Sequence, residues 1–311
     1  MNLLVYFLLP LFISLAAILF LKKFSEKTGF LVDKPEGDAL KIHKKSIPLI
    51  GGIAMATAFL ISLFIFVQHL VSCKYFAISA GVLIIFFLGL WDDVKWKHIS
   101  TTKPLLKFAL LLVCTLVPAV ILSLCGIAFH FVPYTIVSVA LGFVYIFACI
   151  NAVNYQDGMD GLAGGLVLIS LLGFMILGVI VGNTFALSLS LISLGAAASF
   201  LIFNLPPAKI FMGDSGAYLL GFILAVIAIL FSEPYNIYSV FGPIFVIGLP
   251  LFDGVYTNIR RLVKGKSIFH GDRSHFYDKL LQKGFSTKKT LAICCGLQVV
   301  FIVTGLILTF Y

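Results

Sequence analysis

The chain has 311 residues, of which 61% are hydrophobic and 11% are charged, and its formal net charge is +9. Because an ordinary soluble domain carries about 25% charged residues, this composition excludes a soluble protein. The 31 phenylalanines also exclude a disordered chain. No polar segment is long enough to bury a core of its own, so we predict a single membrane domain over residues 1–311.

Ten stretches of the sequence are apolar enough to cross about 30 Å of hydrocarbon as helices of roughly 20 residues. In chain order, the predicted spans are 3–21, 49–70, 76–91, 104–124, 132–149, 161–181, 185–203, 216–232, 236–256 and 290–310. Lys22 and Lys23 follow the first stretch and no positive charge precedes it, so we interpret it as a spanning helix and not as a secretory signal. The predicted fold is all-α and integral to the membrane, with ten transmembrane helices and both termini outside the cytoplasm.

The basic residues lie on one side of this predicted topology. With their flanks, five loops hold 21 of the 22 lysines and arginines, and Lys74 alone lies on the other side. These loops are 22–48, 92–103, 150–160, 204–215 and 257–289. The positive-inside rule makes their side cytoplasmic and indicates a protein of the plasma (inner) membrane. Anionic lipid headgroups then explain the positive charge without a nucleic-acid partner.

The acidic residues lie on the same side of the predicted membrane, although the positive-inside rule does not require them there. Twelve of the 13 Asp and Glu residues lie on the cytoplasmic side, with Glu233 the exception. Most predicted spans contain no ionisable group, whereas transporters place such groups near the membrane midplane. We therefore predict that the five cytoplasmic loops form the functional site.

Two adjacent carboxylates, Asp92 and Asp93, end the third predicted span. If they are about 5 Å apart, they repel each other by roughly 3 kcal/mol at an effective dielectric constant near 20. A divalent cation, the flanking lysines (Lys95, Lys97, Lys103 and Lys107), or protonation of one acid would compensate this repulsion. Taken alone, the pair is equally consistent with a helix end hydrated by water.

The third loop contains a polar residue at every third position, namely Asn151, Asn154, Asp157 and Asp160. Interleaved glycines such as Gly158 let a backbone approach a ligand closely. A helix cap needs one Asn or Asp rather than four, so this pattern favours a binding site.

Two further loops contain candidate ligands for a phosphate or a metal. Asp214 begins a helix, where it either caps the helix or holds a metal whose phosphate ligand binds the free N–H groups. In the fifth loop, Arg and His side chains either clamp a diphosphate or solvate an interfacial helix. We interpret Asp253 as a helix-end acid paired to Arg260 or Arg261, with a binding role left open.

The loops resemble those of the polyprenyl-phosphate N-acetylhexosamine-1-phosphate transferases. Four motifs carry the resemblance: the Asp92-Asp93 pair, the Asn-x-x-Asn-x-x-Asp-Gly-x-Asp-Gly-Leu run from Asn151, Phe-Met-Gly-Asp from Phe211, and Asp-Arg-x-His from Asp272. The resemblance implies an enzyme that transfers a sugar-1-phosphate from a UDP-N-acetylhexosamine to polyprenyl (undecaprenyl) phosphate and releases UMP. It implies Mg²⁺ as cofactor, with Mn²⁺ as an alternative ion, and a role in starting a lipid-linked cell-envelope glycan.

The resemblance also implies roles for individual residues. Asp92, Asp93 and Asp214 match catalytic acids, and Asp214 and Asp92 match the metal ligands. Phe211 is suited to stacking on the uracil base. The residues implied in substrate binding are Lys45, Asn151, Asn154, Asp157, Gly158, Asp160, Asn204, Phe211, His270, Arg273 and His275. Membrane lipids and a second copy of the chain, in a homodimer, are the other implied partners.

The fifth loop departs from the family pattern. The branch that accepts a muramyl-pentapeptide substrate typically has three consecutive histidines, whereas this chain has His275-Phe276-Tyr277-Asp278. The departure favours a smaller UDP-N-acetylhexosamine, with GlcNAc first. It leaves open whether His270, Arg273 or His275 replaces the missing histidines. A nucleotide-sugar or lipid-phosphate transporter is the alternative function.

The six cysteines show no metal-ligand spacing and lie mostly in predicted spans. Only Cys73 and Cys125, both near the predicted outer surface, are placed to meet, and a bond between them is not our expectation.

Overall fold

The computed structural model describes residues 3–33, 46–67, 72–96, 104–265 and 273–309. Within these ranges the chain forms twelve α-helices. They are α1 Leu3–Thr28, α2 Gly51–Val67, α3 Ser72–Trp91, α4 Pro104–Leu124, α5 Thr135–Gln156, α6 Leu162–Val181, α7 Thr184–Asn204, α8 Gly213–Ile229, α9 Phe241–Ile247, α10 Leu249–Val263, α11 Phe276–Gln282 and α12 Thr287–Leu308. A π-helical turn, Asp92–Trp96, extends α3, and a 3₁₀ turn, Ile237–Val240, precedes α9. Two short antiparallel strands, β1 Val32–Asp33 and β2 Ile47–Pro48, pair before α2.

Seven helices are long and apolar enough to cross a membrane: α1, α3, α4, α5, α6, α7 and α12. The 3₁₀ turn with α9 and α10 makes an eighth candidate as a bent unit, and α2 and α8 are shorter apolar helices. These units follow the ten predicted spans in chain order. The predicted all-helical membrane fold is confirmed, while the number of crossings and the side of the termini stay predictions.

Helix α8 is the centre of the bundle. All of its residues except Asp214 are buried, and α2, α3, α5, α6, α7 and α9 pack around it. At 1.5 Å per residue, its 17 residues extend over about 25 Å. Because protein and not lipid surrounds this helix, its first turn holds Asp214 in a fixed place at one end of the bundle.

The predicted span 236–256 is not one straight helix. The chain bends by 91° between the Ile237–Ile247 unit and α10, at Gly248, which has φ +59° and ψ −124°. This backbone conformation is open almost only to glycine. A Cβ at Gly248 would also lie 2.8 Å from Oε1 of Gln298. The single predicted helix is therefore corrected to two helices that meet at this glycine.

Gln298 satisfies the backbone groups that the bend leaves unpaired. Its Oε1 accepts the N–H of Leu249 at 2.9 Å, and its Nε2 donates to the carbonyl of Val246 at 2.9 Å and to Oγ of Ser170 at 3.0 Å. The side chain is fully buried. A broken helix inside a membrane needs such a partner because no water reaches its free N–H and C=O groups.

Cys73 and Cys125 form a disulfide with a Cα–Cα distance of 5.3 Å. Our expectation that they stay unbonded is therefore wrong. The bond joins the first turn of α3 to the residue that follows α4, on the predicted outer side, where oxidising conditions favour disulfides. The opposite ends of the same two helices carry Asp92 and Lys107.

We predict that the Gln298→Leu substitution lowers the free energy of unfolding by about 2–4 kcal/mol, because it leaves Leu249 N–H and Val246 C=O buried without partners. Thermal unfolding in detergent measures the change. Thr304→Val on the same helix is the control, because within the described residues the Thr304 hydroxyl bonds to the carbonyl of Val300 in its own helix and to no other helix. Equal melting temperatures of the two variants would contradict the role given to Gln298.

Candidate active site

A cavity of about 720 Å³ opens where the ends of α4, α5, α8 and α10 meet the segment around α11. Its lining residues are of two kinds, which we call the polar wall and the apolar wall. The polar wall includes Lys107, Asn151, Asn154, Asp157, Asp214, Arg261 and His275. The apolar wall includes Phe108, Leu111, Val144, Phe147, Leu251 and Val255. Such a cavity can hold a charged group and an apolar chain side by side.

Lys107 lies between the carboxylates of Asp92 and Asp214. Its Nζ forms an ion pair with Oδ2 of Asp92 and lies 3.2 Å from Oδ2 of Asp214. The side chains of Asp92 and Asp214 are 6% and 18% exposed, whereas that of Lys107 is 39% exposed. A lysine is one of the three predicted ways to compensate the Asp92 charge, and it is present in the structure.

Two neutral donors complete this cluster. Asn154 donates from Nδ2 to Oδ1 of Asp214 at 2.7 Å, and the hydroxyl of Tyr218 donates to Oδ2 of Asp92 at 3.4 Å. Asp214 therefore has each oxygen held from a different helix: Oδ1 from α5 and Oδ2 from α4. This arrangement fixes the carboxylate at the edge of the cavity.

Asp93 holds the first turn of α8 through its backbone. Its carboxylate accepts the N–H of Asp214 at 2.8 Å and the N–H of Ser215 at 3.0 Å. Gly213 has φ +68°, and a Cβ there would collide with the Asp93 carboxylate. The interpretation that this helix end has free N–H groups for a phosphate is corrected for these two residues, because Asp93 already accepts both.

The Asn-x-x-Asn run divides into two structural parts. Helix α5 continues to Gln156, so Asn151 and Asn154 lie on its last turns, and Asn151 donates to the carbonyl of Phe147 at 2.7 Å. Asp157 and Gly158 form the turn that follows and line the cavity. Asp160 accepts the N–H of Ala208 at 2.9 Å and so ties this turn to the connection between α7 and α8.

Asn204 and Phe211 shape the backbone beside the cavity. Asn204 is buried, accepts the N–H of Gly161 at 3.0 Å and donates to the carbonyl of Ile210 at 2.9 Å. The N–H of Phe211 donates to the carbonyl of Pro48 at 2.9 Å. Within the described part of the chain, Asp160, Asn204 and Phe211 are not among the lining residues. Their predicted contacts with uridine stay predictions.

The fifth loop contributes His275 and Tyr277 to the cavity. The Tyr277 hydroxyl lies so close to Gly158 that a Cβ at Gly158 would collide with it. Burial raises the pKa of the Tyr277 phenol, and the carboxylates of Asp278 and Asp157 act in the same direction. The phenol therefore keeps its proton near neutral pH and remains a hydrogen-bond donor. Arg273 is exposed, and its carbonyl accepts a bond from Gln282 at 2.8 Å.

Two predicted site residues cannot be placed, and several residues that line the cavity were not predicted. Lys45 and His270 lie outside the described residues. Four lining residues were not predicted, namely Tyr155, Tyr218, Asn258 and Tyr277, whereas Arg261 is one of the fifth-loop arginines considered for a diphosphate. It named Lys107 only as a flanking charge, although a lysine inside the first turn of an apolar span is a usable signal. Asp92, Asp157 and Asp214 do converge, because Asp92 contacts two residues that line the cavity, Lys107 and Tyr218.

Comparison with known proteins identifies the family of this chain. The model of the family described as glycosyl transferase family 4 matches residues 75–232. A probable undecaprenyl-phosphate N-acetylglucosaminyl 1-phosphate transferase of Bacillus subtilis is 29% identical, with 99% of this chain and 85% of the relative covered. The undecaprenyl-phosphate alpha-N-acetylglucosaminyl 1-phosphate transferase of Thermotoga maritima is 32% identical, with 94% and 86% covered. That of Escherichia coli K12 is 30% identical, with 89% and 76% covered. The family predicted from the motifs is confirmed: the chain belongs to glycosyl transferase family 4 and is a multi-pass membrane glycosyl-1-phosphate transferase.

Proposed function

We propose that this enzyme transfers GlcNAc-1-phosphate from UDP-GlcNAc to polyprenyl phosphate at the cytoplasmic face of the plasma membrane and releases UMP. The observation that carries the proposal is the cluster of Asp92, Lys107, Asn154 and Asp214 at the edge of a cavity with an apolar wall. The names of the relatives, which act on undecaprenyl phosphate, support the acceptor and the sugar.

The apolar wall suits the lipid acceptor. Val144 on α5 and Val255 on α10 line the cavity and are 59% and 47% exposed on the surface of the bundle. In a membrane, such exposed apolar side chains contact lipid tails. A polyprenyl chain can therefore lie along this wall from the bilayer, while its phosphate reaches the charged cluster without leaving the membrane surface.

The residues present fit a Mg²⁺ ion. Within the described residues, no three His, Cys, Asp or Glu side chains converge as a metal cage. Mg²⁺ typically binds through one or two carboxylates together with substrate phosphates and water, and Asp214 and Asp92 supply two carboxylates. The ammonium of Lys107 already lies between them, which is where a cation is favoured. When bound, the metal would neutralise the diphosphate and the leaving UMP.

The protein side chains have separate roles in the transfer reaction. Asn154 and Lys107 orient Asp214, and the ammonium of Lys107 attracts an entering phosphate. Asp92 removes the last proton of the lipid phosphate if one remains. An oxygen of that phosphate attacks the β-phosphorus in line, a new P–O bond forms, and the bond to UMP breaks. Asp93 acts on the position of Asp214 and does not contact the reacting atoms.

We predict that Asp214→Asn abolishes Mg²⁺-dependent release of UMP from UDP-GlcNAc in the presence of polyprenyl phosphate. The amide keeps the shape of the side chain but leaves one of its donors, Asn154 or Lys107, without an acceptor, so the melting temperature falls slightly while the protein stays folded. A radiolabelled assay measures release. Glu233→Gln is the matched control, because Glu233 is an exposed acid in the turn between α8 and α9, where it bonds to Asn236. Full activity of the Asp214 variant would refute the assignment, and no release with any UDP-sugar by the unchanged protein would refute the function.

We predict that Lys107→Gln strengthens Mg²⁺ binding. The lysine competes with the ion for Asp92 and Asp214, and because it is 39% exposed, its contribution is about 1 kcal/mol, or roughly five-fold in affinity. Mg²⁺-dependent thermal stabilisation in the presence of UMP measures this affinity independently of turnover. Lys95→Gln is the control, since Lys95 lies over the Trp91 ring at 4.3 Å. An unchanged or higher Mg²⁺ requirement in the Lys107 variant would exclude this competition.

We predict opposite profiles for the two adjacent acids. Asp92→Asn should lower kcat by at least about 100-fold, the scale for a lost general base, and change stability little. Asp93→Asn should lower the free energy of unfolding by about 1–3 kcal/mol, because one buried N–H at the start of α8 loses its acceptor. Kinetics and thermal unfolding of both variants test these two roles. If Asp92→Asn is less stable than Asp93→Asn, the assignment of the structural role to Asp93 is wrong.

A further inference from the structure

Asp253 is a buried acid that the proposed chemistry does not use. It lies on α10, one turn after the bend at Gly248, and its side chain is 4% exposed. Its Oδ2 accepts from Nε2 of Gln156 at 3.0 Å and contacts Nδ1 of His275 at 2.8 Å, while Oδ1 accepts the N–H of Phe276 at 3.0 Å. These three contacts hold the buried carboxylate in one place.

His275 connects this acid to the cavity. The ring lines the cavity and has the rings of Tyr155 and Tyr277 as neighbours, at centroid distances of 5.0 and 6.2 Å. Its Nδ1 is engaged by Asp253, whereas its Nε2 makes no hydrogen bond within the part of the chain that the structure describes. Because a carboxylate only accepts, the proton of the ring lies on Nδ1.

We propose that Asp253 is a positioning residue that acts through His275. By holding Nδ1–H, it fixes the ring so that Nε2 presents a hydrogen bond to a phosphoryl oxygen of the UDP-sugar. The proposal rests on the 2.8 Å contact between Nδ1 and Oδ2 of Asp253 and on the position of the ring in the cavity lining. This inference rests on the proposed function for the identity of the ligand, although the Asp253–His275 contact does not.

Among the fifth-loop candidates, the arrangement favours His275 over Arg273, and His270 lies outside the described residues. His275 lines the cavity and has an acid to orient it, whereas Arg273 is exposed. The orienting acid comes from α10 and the ring from the loop before α11. The bend at Gly248 sets the direction of α10, and thereby places Asp253 beneath the ring.

The test combines ring NMR with kinetics on the full chain in detergent. With ¹⁵N-labelled histidine, and His275→Phe to assign the ring signals, we expect UDP-GlcNAc to shift the Nε2 signal of His275 in the unchanged protein and to leave Nδ1 protonated. In Asp253→Asn, we expect the Nδ1 proton to be lost to the other tautomer and kcat/KM for UDP-GlcNAc to fall roughly 10- to 100-fold, as for other residues that orient a histidine. Asp253→Glu should restore part of both.

Asp278→Asn is the matched control. Asp278 is also a buried acid of this segment, but it contacts the backbone N–H of His275 at 3.3 Å and not the ring. A purely structural role of Asp253 would make the two variants alike in kcat/KM and leave the ring signals unchanged, and either result overturns the proposal. If Asp253→Asn does not fold, an unchanged Nε2 signal when the unchanged protein binds UDP-GlcNAc overturns it. If the unchanged protein releases no UMP, the proposed function fails, while the Nδ1 signals still decide whether Asp253 sets the tautomer.

Discussion

Two carboxylates at the ends of apolar helices require a nearby positive charge, and Lys107 supplies it. Asp92 ends α3 and Asp214 begins the buried helix α8, so both acids lie where the bundle excludes much of the water. A carboxylate in such a place is costly unless a cation or several donors balance it. The first turn of α4 therefore has to approach α3 and α8 together, and this approach defines one end of the cavity.

The rest of the cavity lining depends on irregular segments that side chains of the helix bundle hold in place. Asp93 fixes the start of α8, and Asp160 and Asn204 fix the connections on either side of α6 and α7. On the other side, Gln298 holds the bend that sends α10 across the cavity. Several polar side chains in this protein thus bond to backbone groups and do not face the cavity. A membrane interior offers no water to those backbone groups, so they need such partners.

Hydropathy predicted the elements whose length depends on the bilayer. The predicted span 161–181 corresponds to α6 at Leu162–Val181, and the span 185–203 to α7 at Thr184–Asn204. The first helix continues beyond its predicted end at residue 21 to Thr28, because its polar turns stay helical and include a Lys22–Glu26 ion pair at 3.3 Å. The bend at Gly248 escaped prediction because a hydropathy window averages across it, and its partner Gln298 is 50 residues away in sequence.

The motifs predicted which loops meet but not which atoms face the cavity. Asn154, Asp157, Asp214 and His275 line it as expected. Asp160 and Asn204 look equally suited to a ligand in the sequence, yet both bond to backbone groups. Such a difference depends on long-range contacts that no local spacing encodes. For the same reason, the sequence did not reveal the partners of Asp253. These are Gln156 and His275, which are 97 and 22 residues away.

The disulfide between Cys73 and Cys125 gives the α3–α4 pair a permanent joint at one end. Asp92 and Lys107, at the other end of the same pair, have no covalent tie between them. If these two side chains separate when substrate enters, the covalent bond at the far end limits how far the two helices can move apart there.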